Sequence, residues 1–296
     1  TRDQIRSTYI CFGRSNNKMP ENLVTTDWLE EHLDDPSVRV LEIGATDTDE
    51  DYRSGHVPGA IRFFWKDLSW HETDRVFVTP AEMAHRLGSI GIRPDATLVI
   101  YSDKVQYGTY AYWALTMAGH KDIKLLDGSR TKWVAEGRPL SLVVPVFEGV
   151  PYEPPDADIS SCVGRDDVLA NLENDDRLML DVRSLEEYSG KRVMPPPGFD
   201  HGAERTGRIP GAVHLFYQDL VNDDDTFLSP DELRAKFGDA GAGPDQVSEV
   251  VSYCRLSHRA TLAWVAATQI LGWNHIRIYD GSWTEWGSIV GFPIEK

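Results

Sequence analysis

Residues 55–60 read GHVPGA and residues 207–212 read GRIPGA, so two glycines, a proline and an alanine recur at the same spacing. Three more pairs occur in the same order in both halves: LEI at 41–43 with LDV at 180–182, TPAE at 79–82 with SPDE at 229–232, and DGS at 127–129 with DGS at 280–282. Four ordered matches indicate a tandem duplication, and a repeat of this size decides the architecture. The chain is therefore predicted to form two domains of one fold.

The length and the linker composition locate the domain boundaries. The chain has 296 residues, more than a single domain usually contains. We expect a first domain at residues 1–146, a linker at 147–158 with several prolines and acidic residues, and a second domain at 159–296.

Short apolar runs alternate with stretches of helical periodicity in both halves. The predicted strands are Arg39–Ile43, Thr97–Tyr101, Leu178–Val182 and Glu249–Tyr253; the predicted helices include Pro80–Leu87, Tyr110–Met117, Pro230–Phe237 and Thr261–Leu271. Thr79 and Ser229 each precede a proline and a glutamate in a capping-box pattern, which marks two helix starts. The pattern predicts an α/β fold in which each domain is a parallel sheet flanked by helices. In such folds, ligands bind at the carboxyl ends of the strands.

Composition excludes several classes of function. With 30 Lys and Arg against 47 Asp and Glu, the net charge of −17 repels nucleic acid and anionic membranes. The chain has neither a Walker loop nor a G-x-G-x-x-G turn, and its three cysteines show no C-x-x-C spacing, so we expect no nucleotide cofactor and no metal. No apolar run reaches the ~20 residues of a membrane span, and residues 1–13 lack a secretory apolar segment, so a cytoplasmic protein is expected.

The loop after the predicted strand Glu249–Tyr253 reads Cys254-Arg255-Leu256-Ser257-His258-Arg259 and leads into a helix. A cysteine there faces unpaired N–H groups and the positive end of the helix dipole, and the two arginines add fixed positive charge, all of which stabilise a thiolate. The alternative is that Cys254 is a small buried hydrophobic residue. The arginines favour a nucleophile, whereas Cys11 and Cys162 lack such a setting and are expected to be structural.

The sequence resembles the rhodanese family, specifically its two-domain thiosulfate and mercaptopyruvate sulfurtransferases, over about residues 23–294. The resemblance is carried by DVR at 181–183, GRIPGA at 207–212, YCR at 253–255 and YDGSWTEW at 279–286. It implies that the second domain is catalytic and that the first has lost its cysteine. Asp103 is expected in the place of Cys254, because each lies ten residues before a tryptophan.

The resemblance also implies a double displacement. The Cys254 thiolate attacks the outer sulfur of a donor such as thiosulfate, sulfite leaves, and cyanide or a thiol then attacks the resulting persulfide. We therefore expect a small-molecule sulfur donor and a cyanide, thiol or protein sulfur acceptor, with no cofactor.

Several residues are candidates for substrate binding. Arg255 and Arg259 are placed to hold the sulfonate of thiosulfate by charge-assisted hydrogen bonds, and Arg183 matches a family position that contacts substrate. The full expected set is Arg183, Arg255, Leu256, Ser257, His258 and Arg259, supported by Asp181 and Arg208. Two interpretations stay open for His258, a general acid or a cation at the rim. Arg208 is either a structural replacement for the histidine of the first half or a further anion contact.

Two other activities are weighed against thiosulfate sulfurtransferase. Ser257 stands where both types of the family usually have glycine, but Arg255 suits a dianion and so favours thiosulfate over 3-mercaptopyruvate. A cysteine-dependent phosphatase or arsenate reductase is the alternative of another class, because related folds use Cys-x5-Arg. The spacing here is Cys-x4-Arg, one residue shorter, which favours sulfur.

The second half contains an insertion of 16 residues, since Tyr188 follows Tyr52 by 136 positions whereas Gly211 follows Gly59 by 152. It covers roughly Ser189–Thr206 and contains three consecutive prolines with Lys191, Arg192 and Arg205. One interpretation is that these charges border the active site and select the donor or acceptor. The other is a solvated surface loop, which costs little entropy.

Overall fold

Two parallel sheets organise the computed structural model, which describes residues 20–195 and 199–296. In the first domain the order is β1-β5-β4-β2-β3, and in the second it is β6-β10-β9-β7-β8. The strands are β1 (Leu23–Val24), β2 (Val38–Gly44), β3 (Ile61–Phe64), β4 (Thr97–Ser102), β5 (Ile123–Leu126), β6 (Cys162–Val163), β7 (Arg177–Asp181), β8 (Val213–His214), β9 (Glu249–Tyr253) and β10 (Ile276–Tyr279). The two orders correspond strand by strand, which confirms the predicted tandem α/β fold.

Helices cover both faces of each sheet. The first domain contains α1 (Thr26–Glu31), α2 (Glu50–Ser54), α3 (Trp65–Ser69), α4 (Pro80–Ser89), α5 (Val105–Met117) and α6 (Ser129–Ala135). The second contains α7 (Arg165–Ala170), α8 (Leu185–Tyr188), a 3-10 turn (Tyr217–Leu220), α9 (Pro230–Asp239), α10 (His258–Val265), which continues as a π-helical segment (Ala266–Ile270), and α11 (Ser282–Trp286). Among the described residues no helix combines the length and apolar character that crossing a membrane requires.

Both predicted helix caps form, but in different ways. At α9, Ser229 and Glu232 make the reciprocal capping box. At α4, Thr79 accepts from the backbone N–H of Glu82, while the Glu82 carboxylate pairs with Arg86 instead of reaching back. A competing i,i+4 ion pair thus replaces half of the box.

The repeated GxxPGA motif has the same structural role in both domains. The backbone N–H of Val57 donates to the Tyr101 hydroxyl over 3.1 Å, and the N–H of Ile209 donates to the Tyr253 hydroxyl over 3.1 Å. Each tyrosine in turn donates to a buried carboxylate on the neighbouring strand, Glu42 in the first domain and Asp181 in the second. These chains fix the strand ends from which the two loops described below emerge.

The domains pack against each other through α5 and α10, where the Thr109 and Thr261 hydroxyl oxygens are 2.8 Å apart. Arg75 of the first domain pairs with Asp280 of the second at 2.6 Å. Asp127 of the first domain accepts from the Phe227 N–H of the second at 2.9 Å. Asp127 and Asp280 are the matching acids of the DGS repeat, so each domain contacts the other through the same repeat position.

The predicted linker, residues 147–158, lies along the first domain rather than away from it. The N–H of Val150 donates to the Gly88 carbonyl over 2.8 Å, and that of Asp158 to the Met117 carbonyl over 2.9 Å. Arg39 stacks on the Phe147 ring at 4.7 Å. The linker therefore adds to the packing of the first domain.

Candidate active site

Cys254 is the first residue after β9 and is only 1% exposed. Its backbone N–H donates to the Ser282 hydroxyl over 3.2 Å, and its carbonyl accepts from the Trp283 N–H over 2.9 Å. The DGS repeat that leads into α11 thus holds the cysteine backbone from both sides.

The catalytic loop, residues 254–259, turns at Ser257. Ser257 has a φ of +68°, the left-handed region that favours glycine, and its hydroxyl donates to the Asp280 carboxylate over 2.6 Å. This hydrogen bond offsets part of the conformational cost, which explains a serine at a position where glycine is usual. Among residues 20–195 and 199–296, none accepts from the backbone N–H groups of residues 255–260. Six consecutive N–H groups thus lack a protein acceptor, which is the arrangement that an anion site beside Cys254 requires.

Arg259 is held by a buried carboxylate. Its Nη1 and Nη2 atoms donate to the two oxygens of Glu187 at 2.7 and 2.9 Å, and Glu187 is fully buried. Burial by itself lowers the pKa of Arg259, but the Glu187 pair and the negative charge on Cys254 raise it above its ordinary value. Arg259 thus supplies less net charge to a substrate than the sequence predicted, because Glu187 balances it.

Arg255 differs from Arg259 in having no carboxylate partner. Within the described part of the chain, no hydrogen bond or ion pair holds its guanidinium group, which lies against Gly202 of the insertion. A Cβ on Gly202 would approach Arg255 Nη1 to 2.7 Å. Arg255 is therefore free to bind an anion.

His258 packs into an aromatic cluster of the first domain. Its ring centroid is 4.2 Å from Trp65, 4.5 Å from Tyr110 and 4.8 Å from Tyr107. Burial, together with the nearby positive charges of residues 75, 255, 259 and 66, holds the pKa of His258 well below its usual value. The burial of the ring among aromatic side chains and its lowered pKa argue against the interpretation of His258 as a cation at the rim.

Arg183 and Asp181 form a buried support beneath the site. Arg183 is fully buried, donates in a bidentate manner to Asp181, and reaches the Gly207 carbonyl over 2.7 Å. The guanidinium also lies 4.7 Å from the Trp283 ring. Arg183 does not line the pocket beside Cys254, so its placement does not match the expected direct contact with substrate.

Arg208 faces the C-terminal segment rather than the catalytic loop. It pairs with Glu295 and donates to the Tyr188 carbonyl over 3.3 Å. Its counterpart His56 likewise hydrogen-bonds the carbonyls of Tyr52 and Val143. The structure thus favours the structural role for Arg208 over an anion contact.

A pocket of about 450 Å³ opens beside Cys254 and is shared by both domains. The catalytic loop contributes Arg255, Leu256, His258 and Arg259; Ser257 is not in the lining. Further lining residues from the second domain include Ser184, Glu186, Met194, Pro195, Phe216 and Tyr217, and the first domain contributes Lys104, Gln106 and Tyr107. The sequence reasoning missed this wall of the first domain, although the position of the loop after β4 was the signal that could have found it.

The insertion borders the pocket but not through the charges that were expected. Met194 and Pro195 line it. Arg205 instead donates to four backbone carbonyls around α11 and the C-terminal segment, those of Trp286, Gly287, Ile289 and Phe292. Arg205 therefore anchors the insertion to the domain. Pro196 and Pro197 lie outside the described residues.

In the first domain, Ser102 and not Asp103 occupies the position of Cys254. Ser102 directly follows Tyr101 as Cys254 follows Tyr253, and its N–H donates to Ser129 over 2.8 Å as that of Cys254 does to Ser282. The prediction of Asp103 from the spacing to the next tryptophan is wrong, because the interval from Ser102 to Trp113 is one residue longer than that from Cys254 to Trp264. Asp103 comes next and accepts from the Ala45 N–H at 3.2 Å.

The other cysteines do not alter this assignment. Cys162 lies on β6, and burial raises the pKa of its thiol to about 12, so it is protonated at neutral pH. Cys11 lies outside the described residues. Within those residues, no three His, Cys, Asp or Glu side chains lie together as a metal site would require.

The family model for a rhodanese-like domain matches the chain twice, at residues 25–136 and 165–289. The chain belongs to the rhodanese family. A rhodanese relative from Thermus thermophilus, the sulfur carrier protein TtuD, is 43% identical over 284 residues, covering 94% of this chain and 97% of TtuD. A provisionally named thiosulfate sulfurtransferase from Haloferax volcanii is 40% identical, and the match covers 93% of this chain and 96% of the relative's length. Sulfur transfer is the activity that these names share.

Solved structures support the same rhodanese fold. The anaerobic ergothioneine biosynthesis enzyme from Chlorobium limicola, in complex with trimethyl histidine, aligns with a TM-score of 0.81. The alignment covers 93% of this chain and 70% of that enzyme at 24% identity, so the likeness concerns the fold alone.

Proposed function

We propose that this protein transfers the outer sulfur atom of thiosulfate to cyanide or to a thiol acceptor through a persulfide on Cys254. The observation that carries the proposal is the catalytic loop itself. It places a cysteine at a strand end, leaves the N–H groups of residues 255–260 free, and presents one uncompensated arginine to the same pocket. These groups suit a sulfur nucleophile and an anionic substrate.

The chemistry proceeds in two displacements. The Cys254 thiolate attacks the outer sulfur of thiosulfate, a new S–S bond forms, and the bond to the sulfonate sulfur breaks with its electron pair leaving on sulfite. Cyanide or a thiolate then attacks the terminal sulfur of the persulfide and releases the Cys254 thiolate. The free N–H groups stabilise the persulfide anion, each charge-assisted hydrogen bond contributing about 1.5–3 kcal/mol.

The charges beside Cys254 favour thiosulfate as the donor. Glu187 balances Arg259, so Arg255 is the catalytic-loop cation left to bind the sulfonate group. 3-Mercaptopyruvate, a monoanion, gains less from that charge and is the alternative donor. The acceptor is a small thiol, cyanide or the persulfide-accepting cysteine of a carrier protein.

The same ion pair argues against phosphoryl transfer. A cysteine phosphatase uses the arginine at the end of its loop to bind the phosphoryl group. Here Arg259 Nη1 and Nη2 both donate to the Glu187 carboxylate, at 2.7 and 2.9 Å. The loop also has one residue fewer than the Cys-x5-Arg spacing.

Steady-state and half-reaction measurements test the proposal together. We expect sulfite and thiocyanate in equal amounts from thiosulfate and cyanide, a ping-pong dependence on the two substrates, and one added sulfur atom when thiosulfate alone is mixed with the protein. Addition of cyanide should remove that sulfur. A protein that takes no sulfur from thiosulfate but hydrolyses p-nitrophenyl phosphate would reverse the choice between the two classes.

A further inference from the structure

The wall contributed by the first domain brings a second cation to the pocket. Lys104 is the residue immediately before α5. It belongs to the first-domain loop, residues 102–107, which matches the catalytic loop and includes the first turn of α5, and it lines the pocket together with Cys254 and Arg255. Lys104 is exposed, and in the part of the chain described here no carboxylate or carbonyl binds its ammonium group. Its neighbour Asp103 directs its carboxylate to the Ala45 N–H instead.

The charges of the pocket can be compared one by one. Arg259 is balanced by the buried Glu187. Arg255 and Lys104 remain, and Glu186 is the carboxylate that lines the pocket with them. These two cations outnumber the Glu186 carboxylate by one, which leaves a positive charge to balance the Cys254 thiolate, although the protein as a whole carries a net charge of −17. Local positive charge in an otherwise acidic protein attracts anions to this pocket rather than to the rest of the surface.

We infer that Lys104 is a specificity-determining residue that, with Arg255, selects doubly charged sulfur donors. The inference rests on the proposed function and extends it to a substrate class, dianionic donors that carry a sulfonate-type group beside the transferable sulfur. The two cations come from different domains but line one pocket, so a dianion bound between them can interact with both. A donor with a single negative charge satisfies Arg255 and gains less from Lys104. The first domain, although it has no cysteine at its own loop, thus takes part in choosing the substrate.

The experiment measures how fast Cys254 gains sulfur in the full-length protein. Quenched mixing with thiosulfate or with 3-mercaptopyruvate, followed by intact mass, gives the rate constant for each donor without an acceptor. The variants are Lys104→Gln, Lys104→Arg, which keeps the charge, and the control Lys121→Gln. Lys121 is exposed, belongs to the same domain, and does not line the pocket, so this control makes an equal change in net charge.

We expect Lys104→Gln to lower the second-order rate constant for thiosulfate by about threefold to fivefold at low ionic strength. The loss should be smaller for 3-mercaptopyruvate and should shrink as salt is added. Lys104→Arg should restore most of the thiosulfate rate, and Lys121→Gln should match the wild type. Thermal unfolding of each variant checks that the fold is retained.

Two results would overturn the inference while leaving the proposed function intact. One is normal sulfur uptake by Lys104→Gln at all salt concentrations, and the other is an equal loss with both donors that salt does not change, which indicates a structural effect. If the wild type takes no sulfur from thiosulfate, the proposed function fails first.

Discussion

The catalytic loop and the first-domain loop occupy the same place in two copies of one fold, yet they use their backbone differently. In the first domain, the Ser102 hydroxyl accepts from the Gly108 N–H over 3.1 Å and donates to the Lys104 carbonyl over 2.7 Å, so the loop closes on its own side chain. In the second domain the N–H groups of residues 255–260 have no acceptor among the described residues. The two loops thus differ in their backbone hydrogen bonds as well as in the residue at the cysteine position.

A second difference lies beneath the loops. Glu187, just before Tyr188, is fully buried and pairs with Arg259, whereas Asp51, just before Tyr52, is exposed. The buried pair connects α8 to the first turn of α10. It therefore holds the start of α10 in the domain that carries the cysteine.

The largest expected effect on stability comes from breaking this pair. Glu187→Gln keeps an oxygen to accept from the Ser184 N–H but leaves Arg259 buried without a counter-charge. We expect the free energy of unfolding to fall by about 3–5 kcal/mol. Denaturant unfolding with Glu186→Gln as the control, which should change stability by less than about 0.5 kcal/mol, provides the measurement. Equal stability of the two variants would mean that the pair does not hold the loop.

The outcome for Arg259 shows where sequence reasoning stopped. The repeat motifs and the strand periodicity predicted the sheets, the helices and the position of Cys254, because these are local patterns. The partner of Arg259 lies 72 residues away, and Lys104 reaches the pocket only through domain packing. One of the two interpretations of the insertion placed the charge of Arg205 at the border of the active site, but its donors bind backbone carbonyls that no local pattern reveals.

The next effect concerns Arg255, the catalytic-loop cation that has no carboxylate partner. Arg255→Gly should reduce kcat/KM for thiosulfate by about tenfold to a hundredfold. The loss should be smaller for 3-mercaptopyruvate, since that donor carries one charge fewer. Initial rates with both donors test this, and an equal loss would assign Arg255 to stabilising the loop or the thiolate instead.

The smallest expected effect is on the pH dependence of stability, and it concerns Asp127 and Asp280, the matching acids of the DGS repeat in the two domains. Burial raises the pKa of Asp127 to about 6, whereas Asp280 is paired with Arg75. Because the folded-state pKa of Asp127 exceeds its unfolded value, its ionisation lowers stability as pH rises from about 4 to 6. Asp127→Asn, which keeps an acceptor for the Phe227 N–H, should be more stable than the wild type by about 1–2 kcal/mol at pH 7 and equal to it below about pH 4.

Thermal or denaturant unfolding at several pH values checks the Asp127 prediction, and Asp280→Asn is the matched control. Loss of its ion pair with Arg75 should destabilise that variant at pH 7. If the difference in the free energy of unfolding between Asp127→Asn and the wild type does not vary with pH, the account of Asp127 is contradicted.

The most direct test of the central claim is the sulfur content of three proteins after exposure to thiosulfate, measured by intact mass. They are the wild type, Cys254→Ser, and the double variant Ser102→Cys with Cys254→Ser, which moves the cysteine to the matching position of the first domain. The account predicts one added sulfur atom in the wild type and none in the other two. Cys254→Ser has no thiol in the catalytic loop, and the matching loop of the double variant contains Lys104 but no arginine, with the N–H groups of Tyr107 and Gly108 bound within the loop. Sulfur retained by Cys254→Ser, or gained by the double variant, would contradict it.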